Sequence, residues 1–244
     1  MFNFNDITKI DISRLSGEVS IKTHNKDEVI VVSTEEDKLS IKKTGKSLYI
    51  SSKVDEDKNV VHTKGSFGKF NINNMSGNSI VINGNSFGNV TIQNGVTYFN
   101  QNVEVEMTIY VPKDKITLVD VSGQINVDIE KISNELSIDN SGQTKVAVEG
   151  IEKLVVDCSG QSKVIIKDSK YITADVSGQS KVNINSNDIE RILMDVSGQS
   201  SINVDSVEIK KVEVDASGMS KIKIKGQVRK QNVYTSGMAK VNFK

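Results

Sequence analysis

Residues 175–184 read DVSGQSKVNI, a stretch whose side chains could do chemistry: a serine hydroxyl as nucleophile, with an aspartate and a lysine as acid, base or ionic partner. Nucleophilic serine needs one hydroxyl activated by a base held beside it. Nearly the same string recurs as DCSGQSKVII at 157–166 and as DVSGQSSINV at 195–204. A catalytic serine is singular, whereas these are copies. The two histidines, His24 and His62, lie in solvated stretches of the first half, KTHNKDE and VVHTKGS. The repeated string therefore reads as a structural corner rather than an active site, and no catalytic residue is assigned.

The copies belong to a longer series. Ser-Gly pairs end at Gly123, Gly142, Gly160, Gly178, Gly198, Gly218 and Gly237, at steps of 19, 18, 18, 20, 20 and 19 residues. Between them apolar and polar residues alternate with period 2, and no helical stripe interrupts the alternation. A period near 19 built of short strands predicts an all-β parallel solenoid, right-handed, with the glycines at its corners. Glycine suits a sharp bend because it adopts positive φ without a Cβ clash.

Aligning the repeats gives four apolar columns expected to face inward. Before the corner they are Val121, Asn140, Cys158, Val176, Val196, Ala216, Thr235 and Val119, Ile138, Val156, Ala174, Met194, Val214, Val233. After it they are Val127, Val146, Val164, Val182, Ile202, Ile222, Val241 and Ile129, Val148, Ile166, Ile184, Val204, Ile224, Phe243. Cys158, the single cysteine, falls in one of them and reads as a reduced core thiol.

An outward column is acidic: Asp120, Asp139, Asp157, Asp175, Asp195 and Asp215. Rungs about 4.8 Å apart would set these carboxylates against one another at about 1 kcal/mol per pair in water. Solvation, turn N–H groups or the lysine column Lys145, Lys163, Lys181, Lys221, Lys240 could offset that repulsion, and the ladder is a candidate for weak cation binding. The calcium-binding β-roll repeat is absent, and no metal or cofactor is assigned.

The first half is less regular. RLSGEVSIKT at 14–23 carries the corner, with Ile21 and Thr23 expected in the columns of Val164 and Ile166. Residues 65–95 read as a loose insertion, and VEVEMTIYVPKD at 103–114 as a strong strand ended by Pro112. A soft boundary near 115 divides an irregular β region, 1–115, from regular repeats, 116–244, within one continuous structure.

The V-x-V-x-M-x-I-Y-V-P-K strand followed by D-x-S-G-x-x-x-V rungs resembles the bacterial adhesin-type β-strand-repeat family, related to head-GIN-domain adhesins and Toastrack domains. The resemblance implies a β-solenoid, a setting at the cell envelope or near envelope-stress components, and no catalytic residues.

Composition narrows function further. Lys+Arg and Asp+Glu balance at 31 each, so no global field draws nucleic acid. Trp is absent and the five tyrosines (49, 98, 110, 171, 234) are scattered, which weakens the alternative of a carbohydrate-active β-helix enzyme of the lyase or pectinase kind. The start, MFNFNDITKIDISRLSG, lacks the basic and apolar segments of a signal peptide, so the chain as given is expected in the cytoplasm, or at the envelope if trimmed. The leading expectation is a non-enzymatic scaffold or interaction module. It would take a protein partner, or self-associate as a structural assembly, through the terminal rung SGMAKVNFK and its edge residues Val241 and Phe243.

Overall fold

The computed structural model describes residues 1–53 and 103–244, and the backbone of four strands between them, Val60–Val61, Met75–Ile82, Asn85–Gln93 and Val96–Phe99. Those four strands pair antiparallel in a small sheet. Residues 65–74, 83–84 and 94–95 of the 65–95 insertion, and His62, lie outside the described residues.

The rest is a parallel β-solenoid without an α-helix among the described residues. Each turn has a strand before the Ser-Gly corner and one after it, and each stacks in register on its counterpart in the next turn. On the first side, Leu118–Ile129, Glu135–Gly142, Lys153–Cys158, Tyr171–Val176, Asp188–Val196, Ser201–Ala216 and Lys221–Thr235 follow one another. On the second side the parallel ladder runs from Leu118–Ile129 through Lys145–Glu149, Lys163–Lys167 and Lys181–Asn185 to Lys240–Phe243. Both ladders step 18 to 20 residues at a time, as Asp139↔Asp157 and Asp175↔Asp195 show. The Val- and Ile-rich composition explains the choice, because β-branched side chains pack well on a pleated surface.

The four columns face inward. Every member from the second rung to Ile222 and Ile224 is at most 3% exposed, and the contiguous core they form runs through the stack. Cys158 is among them, between Asn140 and Val176. Burial pushes its thiol up, against the opposing pull of the Ser180 hydroxyl and the Asn140 amide. A thiol reagent should therefore leave native protein unlabelled and react fully in denaturant. Fast labelling of native protein would put this column on the outer face.

The first rung is Lys9–His24, which pairs in parallel with Leu118–Ile129 although residues 25–117 intervene. Here the expected register is wrong by two. Val19, not Ile21, stacks on Val127, and Ile21, not Thr23, stacks on Ile129. The cause is a bulge opposite Val121 and Gly123, where Arg14 takes φ 55° and Leu15, rather than Gly17, lies beside Gly123. A shift of two keeps the same side chains inside, so burial survives the error.

The intervening chain covers this end. Val103–Pro112 lies parallel on Leu15–His24, Val29–Ser33 runs antiparallel beside it, and Phe2–Phe4 pairs with Val29–Val31. Ser47–Ser52 stacks on the start of the first rung and folds back on Leu39–Thr44. Phe2, Phe4, Ile41 and Val103 close over the apolar interior.

Candidate interaction edge and acidic ladder

The corners are built by backbone. Gly160, Gly178, Gly198 and Gly218 hold φ between 68° and 74°. Successive corners bond directly, with Gln161 N donating to Gly142 O at 2.9 Å and Gln179 N to Gly160 O at 2.8 Å. A Cβ on Gly178 would sit 2.6 Å from Gly160 O. The corner serines thus stand on a stack of backbone, with no base among the described residues hydrogen-bonded to any one of them. His24, the histidine whose side chain is described, meets Glu28 O at 2.6 Å and faces Tyr110.

A second hydroxyl column escaped sequence reasoning. Thr144, Ser162, Ser180, Ser200 and Ser220, two residues after the corner glycines, point inward and are buried. Ser162 Oγ donates to Ser159 O at 2.6 Å, and Thr144 Oγ1 to Ser162 Oγ at 3.3 Å. Their position, two before the buried Val146–Val241 column, is the signal that could have found them.

The aspartates form one file, Asp120 to Asp215, in register. Asp11 extends it on the first rung, and Tyr49 and Tyr234 close its two ends. Desolvation, then the charge of neighbouring aspartates, raises the carboxyl of Asp11, Asp139, Asp157 and Asp195 above the ordinary 3.8. Of the three offsets open to this file, the lysine column is not the one used. The lysine column stacks on the other side of the corner. Among the described residues the one ion pair to the file is Lys9 Nζ–Asp120 Oδ2, at 3.2 Å. No group of three or more His, Cys, Asp or Glu among the described residues is arranged to hold a metal ion. Tyr49 and Tyr234 stand eight rung spacings apart, on the order of 38 Å, so they form no common platform.

The last rung differs from all the others. Val233 and Phe243, each 37% exposed, end columns whose earlier members are sealed, and Val241 is half-buried. Tyr234 and Met238 beside them are 69% and 66% exposed. Among the described residues Lys240–Phe243 covers Lys221–Ile224, and no strand pairs with the far side of Lys240–Phe243 or of residues 227–235.

Fold and edge together define a parallel β-solenoid with an open last rung. Residues 182–244 match the family model described as "Putative auto-transporter adhesin, head GIN domain", which is the resemblance carried by the rungs. Two solved structures from Parabacteroides distasonis share the fold. A "putative lipid binding protein" aligns with a TM-score of 0.56 at 13% identity, over 100% of this chain and 95% of its own. A "putative adhesin" aligns with a TM-score of 0.50 at 14% identity, over 100% and 95%. No curated protein matches the sequence. Among the described residues no helix is long and apolar enough to cross a membrane.

Proposed function

We propose that this chain is a non-enzymatic scaffold whose last rung, with Val241 and Phe243 at its edge, docks a protein partner at the bacterial envelope. The observation that carries the reading is the contrast between sealed columns through Ile224 and the exposed ends at Val233 and Phe243. A parallel strand with one unpaired side offers N–H and C=O groups that another strand satisfies. The envelope setting follows the adhesin description of the family.

A Val241→Lys/Phe243→Lys variant tests it. The variant should fold, melting within a few degrees of wild type, because both side chains are already partly in water. Cross-linking in the native cell should join wild type to a defined partner set that the variant loses. Sedimentation should show a single species for both over a wide concentration range. Unchanged cross-links would remove the edge from function, and concentration-dependent growth lost in the variant would give it to a second copy instead.

A further inference from the structure

The partner's chemistry is written in the charge of the last rungs. After Asp215 the chain carries Lys221, Lys223, Lys225, Arg229, Lys230, Lys240 and Lys244, and no acidic residue. Elsewhere adjacent rungs are tied by opposite charges: Lys167–Glu149 at 3.5 Å, Lys170–Glu152 at 3.5 Å, Lys225–Asp205 at 3.1 Å, and Arg191–Glu213 at 3.4 Å. Arg229 reaches back to Glu208 in the same way. Lys230, Lys240 and Lys244 stand in no ion pair among the described residues. In each of the pairs above the carboxylate comes from the neighbouring rung, whereas Lys145, Lys163, Lys181 and Lys221, in the column of Lys240, stack with no ion pair among the described residues.

We infer that the last rung accepts an extended acidic segment, with apolar and acidic residues alternating, as one further parallel strand. This rests on the docking reading above and names the chemistry of the partner. Two alternatives fit less well. A second copy presenting the same edge would bring seven further cations against seven. A bilayer would leave the strand's free N–H and C=O groups without partners wherever the edge entered hydrocarbon. An acidic strand satisfies both the backbone and the lysines.

The chain itself shows what such a segment looks like. Val103–Pro112, VEVEMTIYVP, already adds in parallel to the first rung, with Met107 over Val19 and Ile109 over Ile21. Those columns end at Val241 and Phe243. In the same register at the other end, a peptide of this sequence stacks its methionine and isoleucine there. The glutamate equivalent to Glu106 then falls opposite Lys240.

The test uses the full chain and two labelled peptides, VEVEMTIYV and its lysine analogue VKVKMTIYV. Fluorescence anisotropy should show saturable binding of the acidic peptide, at least about tenfold tighter than the analogue. Lys240→Glu/Lys244→Glu should reverse the preference, and added salt should weaken both interactions. Equal affinity for the two peptides, or no reversal, overturns the inference. So does binding to phosphatidylglycerol vesicles, lost in the charge-reversed protein, without binding to peptide. If neither peptide binds but cross-linked partners still depend on Val241 and Phe243, the docking reading stands and its acidic chemistry falls.

Discussion

Gly178→Val is expected to destabilise the protein by at least about 3 kcal/mol, lowering its melting temperature by roughly 6–12 °C for a chain of this length. Two costs add. At φ 73° a β-branched residue is strained, on the order of 1–3 kcal/mol. Its Cβ would also meet Gly160 O at 2.6 Å and Gly160 N at 3.0 Å, backbone atoms fixed by the corner hydrogen bonds. Gly45→Ala separates the costs. Gly45 has φ 59° with nothing within 4 Å of an added Cβ, so it should lose about 1 kcal/mol from backbone strain alone. Ser177→Ala, on the same corner, should lose less than about 1 kcal/mol, since its hydroxyl is tied to no fixed partner. Thermal melts of the three variants check the order. A Gly178→Val protein melting with wild type would mean that the corners are not stacked backbone to backbone.

The second large effect is a gain of stability on mild acidification. Asp11, Asp139, Asp157 and Asp195 have carboxyl groups raised in the folded protein above the ordinary 3.8. Between the unfolded and folded values the native state binds more protons, so stability rises as pH falls through the folded values toward 3.8. The penalty is complete at neutral pH, where the file is fully charged. Glu213, lowered by Lys211, works in the opposite sense and loses its contribution as pH falls. With four groups against one, the melting temperature should climb as the pH falls from 7 toward 3.8. An Asp139→Asn/Asp157→Asn/Asp195→Asn variant should be more stable than wild type at pH 7 and show a flatter profile. A triple variant that melts lower at pH 7 would show that the charged file holds the rungs together.

Which parts of this arrangement could be read from sequence follows from how local each constraint is. The inward columns and the aspartate file repeat every 18 to 20 residues with an unbroken period of 2, so alignment of neighbouring repeats places them. The first rung resisted because its corner is different. Arg14 takes positive φ within a bulge that sets Leu15 opposite Gly123, and that bulge carries no sequence mark. Asp11 was missed with it, although KIDIS and LSIDN share the same Ile-Asp setting. The cover formed by Val103–Pro112 and Ser47–Ser52 depends on contacts with strands far away in the chain, which no local pattern specifies. The inward Thr144–Ser220 column hid behind residue type, since a hydroxyl residue two positions after a turn glycine reads as part of an exposed turn. The lysine column misled through distance: Lys145 and Asp139 are near in sequence but lie on opposite sides of a corner.

Amide hydrogen exchange along the free chain tests most directly whether the stack is sealed through Ile224 and open at its last rung. Segments from Lys153 to Ile224 should exchange slowly, since each strand there is bonded on both sides. In the last rung Ser236, Met238 and Lys240 donate to Ala216, Gly218 and Ser220, so these amides should be protected while those facing away exchange at least about tenfold faster. Saturating VEVEMTIYV should slow the fast set and leave the inner rungs unchanged. Uniform protection from Lys153 to Lys244 in the free protein would contradict the account, because it would mean that the last rung is already covered.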